Sequence, residues 1–223
     1  MAKKIKYYSE AELIKMFDLN RLVGTQISPL MDEWLASNTT SNVPLNTILS
    51  TSEKDIFDEI YQDALINITG WQEEDLKMNF IAFVLKLGHL RNTLHYKSYF
   101  EQTVQATVEG YFLKAKTDFM IAKGILEVPE NPYFHFQEYK KQRDPSGDPT
   151  AQLLEAFLIA QEKNKNGNPL YGCTIVGKYW DFIILEKKNY SISKSYDCTD
   201  KQDLLQIIAI LRKFKEILET KLL

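Results

Sequence analysis

Cysteine is scarce in these 223 residues. There are two, Cys173 and Cys198, without CxxC spacing, so neither a zinc site nor a disulfide framework is indicated. The three histidines, His89, His95 and His135, are scattered, and none is assigned to catalysis. No segment approaches the ~18 apolar residues of a spanning helix, and the opening "MAKKIKYYSEAEL" lacks the apolar core of a signal peptide. A cytoplasmic location without a membrane partner is the expectation. Charge of one sign is also lacking: the formal net charge is −3, so any binding of phosphate must come from a local patch. There is no internal repeat and no low-complexity segment.

What is present suits a soluble globular protein, with 44% apolar and 26% charged residues, long enough for one full core or for a domain with a smaller appendage. The first half reads as helical. Ser9 and Glu12 form a capping box that opens a helix through about Val23, and Ser28 with Pro29 starts "SPLMDEWLAS". After the polar loop "SNTTSNVP", a helix is expected from about Ser52 to Ile66. In "WQEEDLKMNFIAFVLKLG", Leu76, Phe80, Phe83, Val84 and Leu87 make one apolar stripe that stops at Gly88.

From about Ser98 the composition turns aromatic and β-branched. "SYFEQTVQATVEGYFLKAKTDFMIAKG" reads as two strands punctuated by Gly110 and Gly124, "PENP" as a turn, and "YFHFQEYKK" as the next strand. Asp148-Pro149 opens a helix over "TAQLLEAFLIAQEKNKNG". "LYGCTIVG", "YWDFIILE" and "YSISKSY" are further strands, and a Thr199/Gln202 capping box opens a final helix on Leu204, Ile208, Leu211 and Leu218. Helix, three strands, helix, strands, helix suits a sheet with helices on both faces.

Alternation along a strand puts Phe134, Phe136, Glu138 and Lys140 on one face. The two phenylalanines direct that face to the core, where an acid and an amine are costly without partners. A Mg2+ site is one explanation, because this ion takes hard oxygen ligands, keeps several waters and needs only one or two carboxylates. Glu138 supplies one. Asp118, the only acid within "KAKTDFMIAKG", supplies the other if a connection from Gly124 to Pro132 brings the strands together, roughly 4.8 Å apart. Lys140 then points at the same spot. Such a trio suits phosphodiester hydrolysis: the ion polarises phosphate and water, and the lysine orients the water or stabilises developing charge.

"KTDFMIAKG" followed by "YFHFQEYKK" resembles the PD-(D/E)XK superfamily of restriction endonuclease-like nucleases. Glu138-Tyr139-Lys140 matches the (D/E)XK element and Asp118 the preceding acid, although no Pro stands before Asp118. "EEDLKMNFIAFVLKLG" is similar to the opening helix of the N-terminal nuclease domain of type I restriction subunits. The resemblance implies an α/β restriction endonuclease-like α/β/α sandwich with a central mixed sheet over 71–223, preceded by a helical N-terminal region, 1–70. It implies a nuclease acting on DNA with Mg2+ or Mn2+, and a homodimer is compatible with it, since many nucleases of this class cut as dimers. It further implies a helix glutamate near the metal, Glu73 or Glu74, with Glu73 preferred because a seven-residue step leads to the core residue Phe80. Gln152 matches a glutamine that reaches the site from the following helix.

Each residue also has a plainer reading. Glu138 and Lys140 would form a surface ion pair at a solvated strand end. Glu73 would complement a helix dipole, and Gln152 would be a polar residue at a helix start. Asp144 and Asp148 read as turn and cap residues. Lys114 and Lys116, expected on the strand face of Asp118, and Lys140, Lys141 and Arg143 would contact phosphate or guard a strand edge. The rival function is a non-catalytic nucleic-acid or protein interaction module with the same fold.

Overall fold

The computed structural model describes residues 8–36, 48–90, 92–143 and 147–223. Its strands are β1 (Asn20–Leu22), β2 (Lys97–Val108), β3 (Tyr111–Ile125), β4 (Val128–Lys140), β5 (Leu170–Val176), β6 (Tyr179–Glu186), β7 (Asn189–Ile192) and β8 (Tyr196–Asp197). They form one mixed eight-stranded sheet in the order β1-β7-β6-β5-β4-β3-β2, with β8 beside β6. The β4/β5 and β1/β7 pairs are parallel and the others antiparallel.

The helices are α1 (Glu10–Phe17), α2 (Pro29–Leu35), α3 (Thr51–Asn67), α4 (Glu73–Leu76), α5 (Ala82–Leu87), α6 (Pro149–Asn164) and α7 (Lys201–Ile217). Between α4 and α5 the chain makes a π-helical turn over Lys77–Ile81, which leaves Phe83 of the expected apolar stripe 38% exposed. The capping box at Ser9 and Glu12 forms, but α1 ends at Phe17, where Asp18 turns left-handed and its N–H bonds to the Ile14 carbonyl. Asp148 accepts the Ala151 N–H at 3.0 Å to cap α6. At α7 the cap is Asp200, not Thr199: its carboxylate takes the N–H groups of Gln202 and Asp203 at 2.9 and 3.0 Å. The Thr199 hydroxyl donates instead to Asp197.

Helices cover both faces. One apolar cluster joins α1 and α6 to Tyr133, Phe136, Met120 and Ala122. The other joins α2, α3, α5 and α7 to Phe119, Ile121, Tyr139 and Tyr171. Residues before 71 are woven into this core: β1 extends the sheet, and fully buried Trp34 packs edge-on to Tyr171 and Phe182 at 5.1 and 5.2 Å. The Trp34 indole N–H donates to the Ile210 carbonyl at 3.0 Å. Among the described residues no helix is long and apolar enough to cross a membrane.

The β3/β4 hairpin differs from expectation. Its connection is the two residues Leu126 and Glu127, with Ile125 paired to Val128, so the "PENP" stretch lies inside β4. Proline is tolerated there because β4 gains its second neighbour, β5, only from His135 onward. A register shift pairs Ile121 with His135 but Ala122 with Tyr133, skipping Phe134. This bulge sends Phe134 to the α7 side, while Tyr133 and Phe136 pack on the α6 side. Phe134 therefore does not share a face with Phe136.

A buried acid on α6 supports the same hairpin. Lys114 lies beyond the last β3 residue paired with β4, and the Glu155 carboxyl accepts its N–H at 3.1 Å. Burial pushes the Glu155 carboxyl up to about 7, against its ordinary 4.5. The folded chain thus holds this proton more tightly than the unfolded one, so the group's contribution to stability falls as pH rises from about 4.5 to about 7. Glu155→Gln, which keeps the acceptor, is expected to be more stable than the parent at pH 8 by up to about 3 kcal/mol, with the gap closing below pH ~4.5. Urea unfolding across that range checks it. Trp34→Ala is expected to lose about 3–5 kcal/mol in the same measurement; a loss below about 1 kcal/mol would show that the N-terminal region is not part of the core.

Candidate active site

The antiparallel register that pairs Phe119 with Gln137 puts Asp118 opposite Glu138 when it is continued by one step. The chain closes around that juxtaposition. Asp118 Oδ2 accepts the Tyr139 N–H at 2.8 Å, tying the acid of β3 to the backbone of β4. Lys140 Nζ donates to Glu138 Oε1 and, at 3.0 Å, to the Tyr139 carbonyl. Asp118, Glu138 and Lys140 are 8%, 5% and 7% exposed, so the ion pair is buried and is not the solvated strand end of the plainer reading.

Burial is the main influence on both acids. It pushes the Glu138 carboxyl up to about 7, helped by the neighbouring charge of Asp118 and only partly countered by Lys140. Asp118 is also raised, because burial outweighs its bonds to the Tyr139 N–H and Lys77 and the pull of Lys140. Burial thus opposes ionisation of two adjacent carboxylates even with Lys77 and Lys140 beside them. A hard divalent cation that keeps several waters fits such a pair, which offers only oxygen ligands. Among the described residues no group of three His, Cys, Asp or Glu side chains is arranged to hold a metal.

Two further site residues were not anticipated. Phe100 pairs with Phe119 and Gln102 with Thr117, so Glu101 of β2 stands across from Asp118. Acids on three neighbouring strands thus lie in a row: Glu101, Asp118 and Glu138. Glu101 has φ of 54°, a left-handed conformation that costs a non-glycine residue roughly 1–2 kcal/mol. Lys116 and Lys77 bind its carboxylate and, against burial, hold it down to about 2. The second residue is Lys77, the first of the π turn. Its ammonium lies 2.7 Å from Glu101, 2.9 Å from Asp118, 3.1 Å from Glu73 and 3.3 Å from Glu74. Burial disfavours its charge, but the bonds to Glu101 and Asp118 prevail and raise its pKa well above the ordinary lysine value.

At the level of Glu101 and Asp118 the strand alternation slips. Leu113 and Ala115 pack in the α6-side cluster, and so do Met120 and Ala122, which differ from them in parity. Lys114, Lys116 and Asp118 therefore do not share the single face expected of them. Lys116 turns to Glu101, while Lys141 is half-buried and Arg143 exposed past the end of β4.

Of the helix acids, Glu73 is 34% exposed at its side chain and its charge reaches Glu138, whereas Glu74 is 79% exposed. Glu73 touches the site through Lys77. Gln152 is less integrated: its carboxamide oxygen is buried near Gly147 without a hydrogen-bond partner, and no hydrogen bond joins it to Asp118, Glu138 or Lys140 among the described residues. Asp148 is the α6 cap, and Asp144 lies outside the described residues.

Behind the site, on the other face of β4, the Tyr139 hydroxyl donates to Gln137 Oε1 at 2.6 Å, and the Gln137 amide bonds His135 Nε2 at 3.0 Å. Burial holds His135 down to about 3, so its ring stays neutral against Phe214. His89 pairs with Glu53 at 2.7 Å, away from these acids. Comparison with known proteins finds no family model that matches the chain, and no match among curated proteins.

Proposed function

We propose that the chain is a metal-dependent nuclease of the PD-(D/E)XK type that hydrolyses phosphodiester bonds of DNA with Mg2+ or Mn2+. The observation that carries this reading is the side-by-side placement of Asp118 and Glu138 with Lys140 on the Glu138 carboxylate. The element order supports it: α4–α5, the antiparallel run β2–β3–β4, then α6 crossing to β5, which lies parallel to β4. A mixed sheet with helices on both faces is compatible with the α/β/α sandwich that this reading expects.

A divalent cation, which Asp118 and Glu138 would hold, would supply neutralisation of phosphate charge and activation of water. The chain's own residues do the rest. Asp118 is held through Oδ2 by the Tyr139 N–H, which leaves Oδ1, now met by Lys77 at 2.9 Å, as the oxygen for the ion. Lys140, anchored by the Tyr139 carbonyl, presents an ammonium to negative charge growing on the phosphate. Lys141 and Arg143 follow at the end of the same strand and supply phosphate contacts.

One observation favours the rival reading, an interaction module without catalysis: the Lys77 ammonium already sits 2.9 Å from Asp118. Plasmid cleavage with Mg2+ or Mn2+ separates the two. Asp118→Asn keeps an acceptor for the Tyr139 N–H, and Lys140→Met keeps the stem's bulk. Each is expected to lower the cleavage rate by at least ~100-fold with the fold retained by circular dichroism. Cleavage that persists in both variants contradicts the assignment. Inertness of the parent on duplex DNA, single-stranded DNA and RNA, with no heat of metal binding, favours the module.

A further inference from the structure

Lys77 is the most heavily paired cation near the site, and nothing in a metal-loaded nuclease centre requires it. Its contacts with Glu101, Asp118, Glu73 and Glu74 run from 2.7 to 3.3 Å. Those are ammonium distances, well outside the roughly 2.0–2.1 Å at which the same oxygens would hold Mg2+. The acids are thus spread around an internal cation. The chain invests backbone irregularity on both sides of that contact. Lys77 begins a π-helical turn, a form that appears mostly as short insertions and often at functional sites, and Glu101 is held left-handed inside a strand.

Resting on the metal-site reading above, we infer that Lys77 is a displaceable counter-ion: its ammonium holds Asp118 until a divalent cation takes that carboxylate, and Glu101 then retains the lysine. The geometry supplies both halves of the exchange. Asp118 is nine-tenths buried and has one oxygen fixed by Tyr139, so the oxygen that bonds Lys77 is the one a metal must win. Glu101 is more open, with its side chain 42% exposed, and at 2.7 Å it makes the shortest of the four contacts. An ammonium that stayed on Asp118 would face the incoming dication directly, so the two cannot share the carboxylate comfortably. Lys116, also bound to Glu101, keeps that acid in place while the lysine moves. The device makes Lys77 a positioning residue: without metal it prevents the repulsion of neighbouring acids from opening the β2/β3/β4 junction.

Calorimetric titration of the full chain with Mn2+ tests this without reference to cleavage. Lys77→Met is expected to bind Mn2+ about tenfold more tightly than the parent, the factor expected if the ammonium leaves Asp118 free about a tenth of the time. The same variant should melt at a lower temperature without metal and show a larger Mn2+-induced rise. Glu101→Gln, which removes the lysine's second partner while keeping the side chain's size, should bind Mn2+ more weakly by at least about threefold, and it serves alone if Lys77→Met does not fold. Equal or weaker binding by Lys77→Met overturns the inference, as does unchanged or tighter binding by Glu101→Gln, and both leave the metal site standing. No binding by either the parent or Lys77→Met rejects the metal site itself, and the inference with it.

Discussion

Two carboxylates on neighbouring strands, both nearly out of solvent, repel each other and resist ionisation, and the lysines around them answer that fact. Asp118 and Glu138 are brought opposite one another by the pairing of β3 with β4, and the Tyr139 N–H fixes one of them to the other's strand. Such a pair persists in a folded protein only if positive charge or hydrogen bonds compensate it. Lys140 compensates Glu138 and Lys77 compensates Asp118. Each buried acid thus has an amine of its own.

Contacts on both faces hold the strands that carry these acids. The bulge at Phe134 lets one hairpin serve two cores, and it sets the parity that carries Phe136 and then Glu138 toward α6. The chain of Tyr139, Gln137 and His135 behind the site satisfies most of the polar groups buried there, so β4 is held from both faces. Glu155 meets the backbone of β3 where β4 no longer pairs with it. Strand alternation slips at Glu101 and Asp118, which lets side chains from one edge of the sheet meet a helix on the other face of the hairpin.

The core of the site was legible in the sequence because it needed only local rules. Period-two alternation isolated Glu138 and Lys140, and a single acid on the preceding strand left Asp118 as their partner. The α6 start was equally plain, since Asp148 and Pro149 fit the first turn of a helix and little else. What escaped was set by contacts distant in the chain. Glu101 becomes a neighbour of Asp118 only once the β2/β3 register is known, although counting back from the turn that joins Val108 to Tyr111 would have found it. The bulge at Phe134 leaves no mark in the alternation, and the π turn at Lys77 is hidden in an apolar periodicity that reads as ordinary helix. β1, three residues long, exists because β7 is there to pair with it. Thr199 and Asp200 are both good caps, and only the folded backbone chooses between them.

The most direct measurement is a crystal structure of the chain soaked with Mn2+, read by anomalous scattering. The account requires one strong peak within about 2.1 Å of oxygens from both Asp118 and Glu138, as for Mg2+, with the Lys77 ammonium withdrawn from Asp118. Full-occupancy metal elsewhere, or an undisturbed Lys77–Asp118 pair at saturating Mn2+, would contradict it.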